Sequence, residues 1–137
     1  VDHRQVELEN MNLGTDTLDA VLLVKVYHDM YWVDPTLVWP KVNTAQVLDD
    51  IAHAVKPGGV LLLVDHSAAP GVGNADASRL HRIDESYARH DFESRGFELV
   101  AHSDVLRKPE DKRDLISYQA PMLGKTDRFA LVFRKRR

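Results

Sequence analysis

Aliphatic residues crowd into two nearly unbroken runs, LDAVLLVKVYHD (18–29) and VLLLVDH (60–66), and each run closes on polar side chains. Runs that apolar, without alternation, predict strands covered on both faces. Between them, Leu48, Ile51, Ala52 and Val55 recur at i, i+3, i+4 and i+7, which makes one apolar helical face. Asn43 stands at the N-cap of that helix, with Gln46 three residues on in capping-box position. Lys56 falls in the predicted last turn, where a cation suits the helix dipole. Pro57 then stops the helix, and Gly58 and Gly59 supply a tight exit into the second run.

The rest of the pattern is more broken. Residues 6–13 alternate weakly and predict a short strand running into a loop. Residues 30–42 hold two prolines and three aromatics without a period, the mark of a long loop or lid. Small turn-forming residues fill 67–78 and predict a loop. Leu80, Ile83, Tyr87 and Ala88 mark one face of a helix predicted over 78–95, with Gly96 at its end. Residues 97–106 and 128–135 read as strands, separated by a charged loop (107–114) and a stretch of ambiguous pattern (115–127). The order strand, helix, strand, helix, strand, strand predicts one α/β domain over 1–137. Its first two long strands should run parallel and its last two antiparallel, since no helical pattern links them. Ligands of such sheets lie beyond the carboxyl ends of the parallel strands. Those ends are Tyr27-His28-Asp29 and Asp65-His66.

Composition narrows the chemistry. The 137 residues include no cysteine, which removes disulfides, thiolate metal sites and cysteine nucleophiles. A net charge of −3 gives no basis for a nucleic-acid partner, and the basic end, Arg134 to Arg137, reads as a solvated terminus. No apolar run approaches the roughly 20 residues needed to span a bilayer. The chain opens on Val rather than Met, so it is expected to be trimmed or partial. A cytoplasmic location is expected, with export left open by that missing start.

A helix, then Lys-Pro-Gly-Gly, then an aliphatic strand ending in Asp65 resembles the fifth-strand region of the class I S-adenosylmethionine-dependent methyltransferases. Residues 18–29 resemble their fourth strand, beginning Leu18-Asp19-Ala20-Val21, and GFELV and DRFALVFRK resemble the sixth and seventh. YHDMYW, LHRIDE and KTDRFALVFRK are similar to a bacterial group of predicted small-molecule methyltransferases. The resemblance implies a partial Rossmann-like sheet equivalent to strands 4, 5, 6 and 7. It implies methyl transfer from S-adenosylmethionine to a small-molecule acceptor, with the acceptor's identity unreadable. The family's first strand and glycine-rich cofactor turn have no counterpart in the sequence, so the chain reads as the C-terminal portion of such a domain. By itself it is expected to bind the cofactor weakly or not at all, and to be inactive or weakly active. An aliphatic strand left at the sheet edge invites pairing, so a homodimer or segment exchange through residues 20–26 is expected.

On this reading the candidate catalytic residues are His28, Asp29, Asp65, His66 and His81. His28 is placed as a general base, its ordinary pKa of about 6.5 being suited to that work. His81 and Asp84, three apart on the predicted helix, would share a face that leans over the same rim. Asn10, Asn12 and Tyr27 fall on the cofactor side. Tyr31, Trp32 and Trp39 would either wall an acceptor pocket or simply cover the sheet. His28, Asp29, Asp65, His66, His81 and Asp84 together offer nitrogen and oxygen donors, but their spacing resembles no compact metal motif and no metal is assigned. His3, His53, His90 and His102 read as surface residues. Two rival readings stand beside the enzyme. One is a non-catalytic α/β interaction module; the other is a different α/β enzyme such as a hydrolase, for which no Gly-x-Ser-x-Gly elbow is present.

Overall fold

A computed structural model describes residues 3–33, 36 and 41–137. Its described elements are β1 (Leu18–Val24), α1 (Thr44–Ala54), β2 (Val55–His66), α2 (Ala75–Leu80), α3 (Glu85–Glu93), β3 (Phe97–Ser103) and β4 (Arg128–Lys135). They form a four-stranded sheet in the order β1-β2-β4-β3. β1 and β2 run parallel, while β4 is antiparallel to both β2 and β3. This is the expected α/β class, with the last two strands paired antiparallel. Residues 6–13 form no strand; their only regular element is a 3-10 turn at Leu8–Asn10. Among the described residues, no helix is long and apolar enough to cross a membrane.

Helix α1 starts as its sequence predicts, with the Asn43 side chain accepting from the Gln46 amide. It ends earlier than predicted. Lys56 lies outside the helix and binds Asp19 at 2.7 Å across to β1. Val55 already pairs with Leu18, and Val60 with Ala20, so Lys56 to Gly59 bulge out of the ladder. Gly59 is required there: a Cβ would sit 2.8 Å from Val55 Cγ1 and 2.9 Å from the Lys56 carbonyl. The Lys-Pro-Gly-Gly run is therefore a bulge within the strand's start rather than a helix cap.

The predicted helix over 78–95 is two helices. His81 adopts a left-handed conformation (φ 50°, ψ 53°) at the end of α2. Ile83 then runs beside the tip of β2, bridging Ser67, before Asp84 caps α3 through the Ser86 amide. Leu80 and Ile83 are both buried, so the apolar spacing is satisfied without a continuous helix.

Alternation along the strands places Val21, Leu23, Leu61, Leu63, Phe129, Leu131 and Phe133 on one face of the sheet. That face packs against Val47, Leu48 and Ile51 of α1 and Phe92 of α3 in one core. The opposite face is less covered: Leu22, Val24 and Val100 are exposed, and Leu62 and Val132 are half-buried. The prediction of β1 and β2 buried on both faces holds for one face only.

Candidate active site

β1 stops at Val24, and Lys25, in a left-handed conformation (φ 56°), turns the chain while its amide still donates to the Val64 carbonyl at 2.7 Å. The turn sends the Tyr27 ring into the core and starts a 3-10 turn, His28–Tyr31, across the tip of β2. There Asp65, fully buried, accepts from the backbone N–H of His28 at 2.9 Å and of His66 at 2.7 Å. It also meets His28 Nδ1 at 2.7 Å. The two strand tips therefore lie side by side, joined through one carboxylate. His28 Nε2 reaches Asp29 Oδ1 at 3.1 Å, and His81 Nδ1 approaches the same oxygen at 3.4 Å. The His28 ring has those of His66 and His81 as neighbours at 5.7 and 5.5 Å.

This surrounding sets the charges. Burial opposes a charge on His28, but hydrogen bonds to Asp29 and Asp65, and their charges, outweigh it and raise its pKa to about 9. With both nitrogens engaged by carboxylates, His28 favours its protonated form near neutral pH. Burial lowers His66 to about 4, with His28, Arg82 and Arg128 adding to the effect against Asp65. Burial and the His28 charge likewise lower His81. Burial works to raise Asp29, and the bond from His28 and the His28 charge overcome it to leave its carboxyl below the usual range. His66 Nδ1 lies 2.7 Å from Thr126 Oγ1, and His81 is flanked by the rings of Trp32 and Tyr118 at 5.2 and 4.7 Å.

A cleft of about 910 Å³ opens beside this cluster. Its walls are apolar at Val6, Leu8, Met11, Leu23, Met30 and Ile51, and acidic at Glu7, Glu9 and Asp29. Asn10 and Asn12 stand on the segment that walls it but do not line it; Asn12 Nδ2 donates to the Asn10 carbonyl. Tyr27 does not line the cleft either. It is buried, and its hydroxyl donates to Asp91 on α3, as does that of Tyr31, which holds the 3-10 turn against the helix. Burial raises both phenol pKa values, so neither hydroxyl is available as an acid or base near neutrality. Asp84 does not share a face with His81, because its carboxylate turns back to the amides of Gly71 and Ser86. Trp39 lies outside the described residues. His3, His53, His90 and His102 are exposed, as expected.

A second set of residues carries no local signal. Arg82, fully buried, binds Asp111 through both terminal nitrogens at 2.8 and 3.2 Å and donates to the carbonyls of Ser67 and Leu115. Asp111 also accepts from the amides of Arg113 and Asp127, and Asp127 is paired with Arg113 at 2.8 Å. This network ties residues 107–127 to the rim. It brings the Tyr118 ring against His81 and the Thr126 hydroxyl against His66.

No protein-family model matches the chain, and no curated protein matches it. Solved structures do match. A proposed methyltransferase of Bacillus halodurans aligns over 100% of this chain and 78% of its own, with a TM-score of 0.63 and 18% identity. A 1,6-didemethyltoxoflavin-N1-methyltransferase of Burkholderia thailandensis, described with S-adenosylhomocysteine bound, aligns over 96% of this chain and 49% of its own (TM-score 0.58, 17% identity). SpnF, a (4+2)-cyclase, aligns over 96% and 54% (TM-score 0.60, 14% identity). The chain thus spans about half the length of several of the solved proteins it matches. At these identities the likeness is one of fold: the chain has the Rossmann-like fold of the S-adenosylmethionine-dependent methyltransferases, in the form of a four-stranded open sheet.

Proposed function

We propose that this chain serves methyl transfer from S-adenosylmethionine to a small-molecule acceptor held at the rim formed by Asp29, His66 and His81. The observation that supports this most is the junction of the two parallel strand tips through His28 and Asp65, next to Asp29, which lines the cleft. A cyclase of the same fold shows that fold alone does not decide the chemistry. The cleft is within the range of small-molecule sites. Its apolar wall suits an adenine ring, and Glu7, Glu9 and Asp29 suit ribose hydroxyls or a sulfonium charge. No glycine lines it, so nothing among the described residues takes the place of the turn that would hold the amino-acid end. The residues fit part of the cofactor.

Bound there, the cofactor would supply an electrophilic methyl carbon for in-line attack by the acceptor. Most of the rate in such chemistry comes from alignment. His28 and Asp65 position the rim, while Asp29, His66 and His81 orient the acceptor. His66, neutral at pH 7, replaces His28 as the group able to take up an acceptor proton. Titration with S-adenosylhomocysteine, read by ligand NMR and calorimetry, tests the reading. Weak saturable binding is expected, with a dissociation constant on the order of 0.1–1 mM, or about −4 to −5.5 kcal/mol. No contact between ligand and folded protein would overturn the methyl-transfer reading; micromolar affinity would overturn the partial fit.

The interaction-module reading has its own support. β1 ends the sheet order, with Leu22 66%, Val24 45% and Val26 43% exposed. An apolar strand so placed favours pairing with a second copy through residues 20–26. Light scattering should then show a mass that rises with protein concentration and returns to that of one chain in the Leu22→Lys, Val24→Lys double variant. A constant monomer mass at high concentration would count against self-association.

A further inference from the structure

The geometry points to a transition-metal site formed by His28 Nε2, Asp29 Oδ1 and His81 Nδ1. One donor atom from each of these three residues lies within 4.8 Å of the other two. Two donors bound at ~2.1 Å to a tetrahedral ion stand ~3.4 Å apart. The two donor pairs here are 3.1 and 3.4 Å apart, so an ion could enter with small side-chain shifts. Two imidazoles and one carboxylate are a donor set for Zn²⁺ and its neighbours in the first transition row. Mg²⁺ and Ca²⁺ instead take oxygen ligands.

The surroundings are those of a built site. Metal-bound histidines as a rule donate their other ring N–H to a carboxylate, which fixes the tautomer. His28 Nδ1 meets the buried Asp65 carboxylate at 2.7 Å, which leaves Nε2 directed at Asp29. The three donors come from two anchored places. His28 and Asp29 belong to the 3-10 turn held by Asp65 and Asp91, and His81 sits at the junction of α2 and α3. Three protein donors leave a fourth position for water or a ligand, and Asp29 also borders the cleft. The ion would take the place of the His28 Nε2 proton, which passes to solvent, and of the hydrogen bond it makes to Asp29. The site does not depend on the methyl-transfer reading.

Calorimetric titration of the metal-stripped chain with Zn²⁺, and visible absorption on adding Co²⁺, test the site without an activity assay. One Zn²⁺ per chain at micromolar affinity or tighter is expected, with Co²⁺ giving the d–d bands of a low-coordinate ion. Asp29→Asn and His81→Asn should each weaken Zn²⁺ at least tenfold while keeping the circular dichroism of the parent. Asparagine tolerates the left-handed backbone at position 81. His53→Gln, at an exposed histidine on α1, should leave the affinity unchanged. No saturable Zn²⁺ binding would overturn the proposal. So would affinities within twofold of the parent in both site variants, or displacement of Zn²⁺ by millimolar Mg²⁺.

Discussion

Asp111→Ala should lose about 3–5 kcal/mol of stability, which for a domain of this size is a large share of the total. The Arg82 guanidinium is fully buried and Asp111 is its only carboxylate partner among the described residues, through two hydrogen bonds. Truncation leaves a cation without compensation and removes the acceptor of the Arg113 and Asp127 amides. Urea unfolding measures the loss, and a change under 1 kcal/mol would contradict the buried pair. Arg82→Met with Asp111→Leu should recover much of it, since paired apolar replacements of buried ion pairs are often close to neutral.

The same network makes the fold acid-sensitive. Burial works to raise Asp111 and Asp127, but hydrogen bonds outweigh it: from Arg82 and the Arg113 and Asp127 amides to Asp111, and from the Lys108 amide and Ser67 to Asp127. Arginine charge adds to the effect, and both carboxyls fall below the usual carboxylate range. A carboxyl whose pKa is lower folded than unfolded adds stability above the unfolded value, near 3.9, and that stability fades as pH falls through the folded value. Unfolding measured from pH 7 down to 2 should show the decline beginning near pH 4–5, with a shallower slope in Asp127→Asn.

Asp65→Ala should cost about 3 kcal/mol. Among the described residues, Asp65 is the only group accepting from the His28 amide, and it also serves His28 Nδ1 and the His66 amide. Its removal leaves buried donors without acceptors and frees the 3-10 turn from the tip of β2. Urea unfolding reads the first effect. The second should appear in Asp65→Asn as a fall of the His28 pKa from about 9, followed by NMR of the ring protons in metal-free protein. An unchanged His28 titration would mean that Asp29 alone sustains its charge.

The fold was legible where local pattern and tertiary environment agree. Strand 128–135 was predicted over its whole length because its alternating large apolar residues meet a core on one face. Asn43 signalled its helix because a cap is a local hydrogen bond. The break at His81 could not be read: Leu80, Ile83 and Tyr87 keep helical spacing, and the partner that draws Arg82 inward is 29 positions away. The burial of Tyr27 could not be read for a related reason. A left-handed Lys25 carries no sequence signal, yet it decides which way the next side chains point. That the strand ends at 27–29 and 65–66 share one rim follows from strand order, whereas Asp91 and Asp111 act through contacts that only folding creates.

The sheet order has a consequence for how the molecule is built. β4 lies between β2 and β3 although it follows both in the sequence. Until it arrives, β3 has no strand beside it and β2 lacks its second neighbour. The sheet can therefore close only when the last strand, with Phe129 to Phe133, slides in and zips the two halves together.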